Sequence, residues 1–416
     1  MAKRIFAGLL LIGISLVVLG FRLIGYENTW HYLWNISTIM PPFADLRMIP
    51  ESAEALKLGY DPAIQNPFDP THRLFNYPKI WYLILRSPID MSWTTPLAIV
   101  CTALFFLGLV LFPARLDKYS ILFLLLLTFS PAVMAGIERA NVDLVFFFIV
   151  SAAIFLLDVS AIASLTTLLI GALFKIFPIF AVTYFLELDK KTALKYIISG
   201  ALFTVIYFAL TLPDMLRVFS TTPKGDDFSY GVTVLAQRIV NQYRPGYAFL
   251  RFRLLHIPVN IDYIQLRLIS YFGVVLLIVI SAYFGIRNRS CFQFGNIQNL
   301  RAFRAGAGIF IGTFLLGNNY DYRLTFLLFT IPLLSEWSSR CKSFVSRLSI
   351  ALTLMACWYL IITRLLDTWL PFGDQYSFIL DTASKWGLFF TMIYLFFASL
   401  PNWLTLDQST HTKTPS

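Results

Sequence analysis

The sequence predicts an all-α polytopic membrane protein, a helical bundle of about 11–13 spans with large extracytoplasmic loops. Three observations predict it. Hydrophobic residues make up 57% of the 416 residues and charged residues only 13%, about half the charged share of a soluble domain. Mean hydropathy is +0.69. Apolar runs of roughly bilayer length recur along the chain, separated by charged turns. The net charge of +10 reads as membrane topology and contact with anionic membrane lipids, with no nucleic-acid partner. Residues 1–402 read as a single domain and residues 403–416 as a polar cytoplasmic tail.

Lys3 and Arg4 precede an apolar run at 5–24. The run is long enough to span, and no small-residue cleavage site follows it, so it reads as an uncleaved first span with a cytoplasmic N-terminus. Residues 25–96 then form the first extracytoplasmic loop. Its most polar part, Asp45 to Trp81, gathers Asp45, Arg47, Glu51, Glu54, Asp61, Asp69, His72 and Arg73 between apolar flanks. It reads as the active-site loop. Pro50 suits a first helical position and Gly59 a C-terminal cap, which predicts a short helix over 50–58. The patch at 77–89 reads as interfacial.

Residues 97–112 return inward, and Arg115 and Lys118 mark the cytoplasmic side. Residues 119–135 go out, 136–143 turn outside, 144–157 return, and 160–177 go out again. Pro178 breaks that helix, leaving 179–188 as the second half of a broken or re-entrant pair. Lys190 and Lys191 are cytoplasmic. Residues 193–212 go out to a second extracytoplasmic loop at 213–264, and 265–286 return to a cytoplasmic stretch marked by Arg287, Arg289, Arg301 and Arg304. Residues 305–316 go out, 318–323 turn, and 324–337 return to Arg340, Lys342 and Arg347. Residues 348–366 go out, 367–384 form a third external loop, and 385–400 return.

The extracytoplasmic loops are also basic, at Arg47, Arg73, Lys79, Arg238, Arg244, Arg251 and Arg253. Two readings account for this: an anionic substrate on that side, or phospholipid headgroups. The cysteines (Cys101, Cys291, Cys341, Cys357) and the four histidines are scattered without metal or redox spacing. The cysteines read as small core- or lipid-facing residues. No metal site and no cofactor is expected, and the sequence has no glycine-rich phosphate loop, dinucleotide fingerprint or HExxH.

Four polar stations carry the candidate chemistry. Asp45 stands where the chain leaves the membrane surface. A partly desolvated carboxylate there suits a general base, although a capping or solvated aspartate has the same signature. Glu138-Arg139-Ala140-Asn141 sits in a tight turn between apolar runs. Arg139 can pair with Glu138 or Asp143, or grip a phosphate. Lys175 lies beside the break at Pro178, where a lysine at membrane depth is costly unless it serves a function or snorkels. Arg323 heads a span in Asn318-Asn319-Tyr320-Asp321-Tyr322-Arg323, with Tyr320 and Tyr322 suited to a sugar face or to the interfacial belt.

In their order and spacing these residues resemble family 87 of the integral-membrane (C-type) glycosyltransferases, which includes polyprenyl-phosphate-mannose-dependent mannosyltransferases. The resemblance rests on Asp45, on Leu58-Gly59-Tyr60-Asp61-Pro62, and on Glu138-Arg139-Ala140-Asn141, with Ala140 where the family often has glycine. It also rests on Gly171-Ala172-Leu173-Phe174-Lys175-Ile176-Phe177-Pro178 and on Tyr322-Arg323. It implies an inverting hexosyltransferase of the cell envelope, multi-pass in the plasma (inner) membrane. Sugar would pass from a polyprenyl-phosphate donor to a lipid or glycan acceptor at the extracytoplasmic face. Asp45 is then the base, and Arg47, Glu138, Arg139, Asn141, Lys175, Tyr322 and Arg323 contact the donor phosphate or substrate. The alternatives are a transporter or flippase of lipid-linked saccharide, which calls for polar residues deep within spans, and a non-catalytic envelope-assembly partner.

Overall fold

The computed structural model describes residues 1–112, 114–225, 227–242, 263–292, 295–371 and 373–404. Most of the second expected loop, with Arg244, Arg251 and Arg253, and most of the polar tail lie outside the described residues. The described chain is mostly helical. Its sheet consists of two two-residue strands, Ser229–Tyr230 and Asn319–Tyr320, paired antiparallel.

Among the described residues, four helices are long and apolar enough to cross a membrane: Ala2–Ile24, Met91–Val110, Lys190–Thr221 and Tyr263–Arg287. Two bent pairs, Lys118–Thr128 with Pro131–Glu138 and Phe344–Cys357 with Tyr359–Trp369, raise this to six if each is one span. That is fewer than the sequence reading expects, because several expected spans are realised differently. Asp143–Leu156, Ala161–Phe174 and Phe177–Glu187 are apolar but shorter. Ile297–Leu316 carries Arg301 and Arg304, and Gly373–Ala398 carries Asp381 and Lys385.

The elements run back and forth between two ends of the bundle. At one end the Lys3 ammonium donates to the Phe112 carbonyl at 2.9 Å, and the Arg115 backbone N–H to Asn299 at 2.8 Å. Arg301 pairs there with Asp158, Arg304 with Glu187, and Arg289 donates to Asn402. At the other end Asp45, Arg73, Asn141, Asp143, Lys175 and Arg323 converge.

Stacked phenylalanines fill the core between the ends. Phe147 stacks on Phe329 at 4.5 Å, and Phe314 on Phe389 at 4.1 Å. Two 3₁₀ segments, Phe177–Glu187 and Asp321–Thr330, pack on Ile297–Leu316. Glycine makes that approach possible. A Cβ at Gly308 would lie 2.4 Å from the Phe180 carbonyl oxygen, and one at Gly306 2.7 Å from that of Phe326. One 3₁₀ segment begins just after Lys175 and the other two residues before Arg323, so the glycine face of this helix fixes where both cations stand.

Four expectations are corrected. The first-loop helix runs Ala44–Lys57, with Pro50 inside it. The proline lacks the N–H that would bond the Leu46 carbonyl, but burial of Leu46, Met48, Ile49, Ala53 and Ala55 holds the helix across it. Pro213 is likewise inside a helix, Lys190–Thr221. Here the first loop secures the far turn, because Arg217 donates to the carbonyls of Phe75 and Tyr77 at 2.7 and 2.8 Å. Residues 373–384 belong to the helix Gly373–Ala398 rather than to a loop. Their Asp381 is not a solvent marker but an ion-pair partner of Lys385 and Arg238. Finally, Cys341 is disulfide-bonded, a pairing that spacing along the chain does not reveal. Cys101 and Cys357 are free and buried.

Candidate functional site

Three element ends meet at the polar end of the bundle. Asp143 is the first residue of the helix Asp143–Leu156, Lys175 follows the last residue of Ala161–Phe174, and Arg323 lies in the first turn of Asp321–Thr330. Asp143 bridges the two cations. Its Oδ1 accepts from the Lys175 ammonium at 2.6 Å and its Oδ2 from Arg323 Nε at 2.9 Å. One carboxylate between two cations leaves a local excess of one positive charge. The Asp143 side chain is 3% exposed, while Lys175 and Arg323 keep 14% and 18%, so both cations still open outward. Aromatic faces back them. Lys175 lies 5.2 Å from the centre of the Tyr77 ring and Arg323 4.7 Å from that of Phe177, distances at which a ring quadrupole attracts a cation.

Asp45 stands beside this triad in the first turn of Ala44–Lys57, where the helix dipole favours an anion. Asn141 Nδ2 donates to its Oδ2 at 2.7 Å. Asn141 also accepts the Asp143 backbone N–H at 2.9 Å, so one side chain links the base candidate to the cation bridge. Asp45 keeps 21% exposure. Tyr77 and Tyr322 feel the charges of both Asp45 and Asp143, and Tyr322 stacks on Tyr320 at 5.6 Å. Burial, then the nearby Asp45 and Asp143 carboxylates, hold the Tyr77 phenol well above its ordinary value, so it is a neutral hydroxyl donor.

Of the expected site residues, Asp45, Asn141, Lys175, Tyr322 and Arg323 come together. Arg139 lies behind them. Its carbonyl accepts the Leu46 N–H, and its guanidinium pairs with the buried Glu138 at 2.7 Å and reaches the Ser37 carbonyl. Of the two ion-pair readings of Arg139, the pair with Glu138 is the one formed. Arg47 is engaged within the first loop. It is buried, pairs with Glu51 at 2.7 Å and donates to the Pro41 carbonyl. Asp143, Arg73 and Tyr77 join the site without having been singled out for it. Among the described residues no group of three His, Cys, Asp or Glu is placed to hold a metal ion.

Ala140 has φ 45°, in the left-handed region. Glycine adopts that conformation at little cost, so the backbone at position 140 favours glycine. Ala140→Gly is expected to raise stability by about 0.5–1 kcal/mol, read as a higher Tm.

The first loop contains a pH-dependent pair. Burial pushes the Glu51 carboxyl up to about 7 against the pull of Arg47. The folded value lies above the ordinary 4.5, so folding takes up a proton between these values and stability falls as pH rises through that window. Asp69 behaves oppositely. Burial opposes its ionisation, but hydrogen bonds from Arg73 and Thr71 outweigh burial and hold it at about 2. Its contribution is complete above the ordinary value of 3.8 and is lost only as pH falls towards about 2. Between pH 5 and 8 Asp69 therefore adds no slope, while Glu51 contributes a fall. Glu51→Gln is expected to lessen the fall in Tm over that range and to stabilise the protein at pH 8 by on the order of 1 kcal/mol or more.

Comparisons with protein-family models, curated proteins and solved structures give no match to this chain.

Proposed function

We propose that the chain is an integral-membrane glycosyltransferase of the C-type architecture that moves a hexose, mannose-like, from a polyprenyl-phosphate donor to a lipid or glycan acceptor. Outward-facing apolar residues support the membrane setting. Ile198, Leu202, Val205 and Leu210 on Lys190–Thr221, and Leu268, Phe272, Val275 and Val279 on Tyr263–Arg287, are all exposed. Apolar faces of that extent call for lipid or a partner. Passes between the two ends then number about a dozen once short and broken elements are counted. In this reading the Lys3 end, with its basic turns, is cytoplasmic and the Asp45 cluster lies outside.

The observation that carries the chemistry is the buried Asp143 bridge between Lys175 and Arg323, two cations that keep 14% and 18% exposure beside Asp45. In an inverting transfer the Asp45 carboxylate takes the proton of an acceptor hydroxyl. The hydroxyl oxygen attacks the anomeric carbon from the face opposite the phosphate, and the carbon–oxygen bond to the lipid phosphate breaks. The departing phosphate gains negative charge, and preorganised cations lower the barrier to that charge. Lys175 and Arg323 supply them without reorganising, because Asp143 already fixes both.

Lys175→Met and Arg323→Met test this reading. Each is expected to weaken binding of a polyprenyl-phosphate donor in lipid nanodiscs about 10- to 100-fold, with Arg323→Lys intermediate because it keeps the charge but loses the guanidinium plane. Unchanged donor affinity in both methionine variants would remove the cations from donor recognition.

A further inference from the structure

Asp69 builds a rigid mount for Arg73. Its Oδ1 accepts from the Thr71 N–H at 2.8 Å, the Thr71 hydroxyl at 2.7 Å and the Arg73 N–H at 3.2 Å. Its Oδ2 accepts from Arg73 Nε at 2.9 Å and pairs with Nη2 at 2.8 Å. Nη2 also donates to the Ala44 carbonyl at 2.7 Å. Asp69 is fully buried and Arg73 is 23% exposed. The guanidinium is thus fixed through Nε and Nη2, and Nη1 points at Asp45 Oδ1 from 3.8 Å.

That distance is too long for a direct hydrogen bond. Asn141 already holds the other carboxylate oxygen. Asp45 Oδ1 and Arg73 Nη1 therefore stand side by side as an acceptor and a donor. An alcohol oxygen seated beside the pair lies at ordinary hydrogen-bond distances from both, giving its proton to Oδ1 and accepting an N–H from Nη1. Resting on the transfer reading above, we infer that Arg73 and Asp45 together seat the acceptor hydroxyl, so that Arg73 is an acceptor-binding residue and not a donor-phosphate contact. The same N–H that orients the hydroxyl keeps a lone pair of its oxygen free for the anomeric carbon. Tyr77, Tyr322, Glu138 and Lys175 also sense the Asp45 charge. Among these, Lys175 is the only cation, and Asp143 already engages it.

Kinetics and binding of the full chain in nanodiscs test this. Acceptor KM is expected to rise about tenfold or more in Arg73→Lys while donor affinity stays at the wild-type value. An unchanged acceptor KM, or a rise confined to the donor side, would overturn the inference. If wild type transfers from no donor, the transferase reading fails, and direct binding of a long-chain alkyl mannoside then decides on Arg73: Arg73→Lys is expected to weaken it about tenfold, and unchanged binding would overturn the inference.

Discussion

Asp143→Ala is expected to destabilise the protein by about 3–5 kcal/mol, the cost of removing one member of a buried ion pair and leaving its partners uncompensated. Here two partners are left. Lys175 and Arg323 each lose a direct contact to the Asp143 carboxylate, and the cations then repel each other at the mouth of the site. Thermal unfolding in nanodiscs and recovery of folded monomer after detergent extraction measure the effect. The double variant Asp143→Ala/Lys175→Met is expected to recover part of the loss, since it removes one stranded cation. A single variant within 1 kcal/mol of wild type would mean that the bridge contributes little and that the cations are held by their surroundings instead.

Asp45→Asn is expected to lower kcat of transfer about 10²- to 10⁴-fold, the usual contribution of a positioned general base. The change is nearly isosteric. The amide oxygen still accepts from Asn141, so folding and donor affinity are expected to stay near wild type. The loss then belongs to the chemical step. Asn141→Ala removes the hydrogen bond that fixes Oδ2 but keeps the carboxylate, so it is expected to cost less than Asp45→Asn.

Much of the site was legible because its residues sit in short local patterns. Asp45, Lys175 and Arg323 each stood out as a charge at the end of an apolar run, and Asn141 as part of a compact polar turn. Asp143 closes the same turn, and it passed only as a local partner for Arg139. Its true partners lie 32 and 180 residues away, and no local pattern encodes them. Arg73 was read only as one of several basic loop residues facing an anionic substrate or phospholipid headgroups, since nothing nearby in sequence announces the mount that Asp69 provides. The fold was misread where charge was equated with loop. Asp214 and Arg217 extend a helix because the first loop partners both, the Lys79 N–H donating to Asp214 and the Phe75 carbonyl accepting from Arg217. Asp381 and Lys385 stay helical and buried because Asp321 and Arg238 neutralise them. In each case a long-range partner removed the desolvation cost that local reading assigns to a charge.

The most direct test of the central proposal is transfer of radiolabelled hexose from a polyprenyl-phosphate donor, with the chain in nanodiscs that also carry membrane-lipid acceptors. Wild type is expected to form a new glycosidic bond of inverted anomeric configuration, and Asp45→Asn to bind the donor normally while transferring almost none. Undiminished transfer by Asp45→Asn would contradict the proposal. So would label that crosses a sealed bilayer still attached to its lipid phosphate, which marks a carrier rather than a transferase.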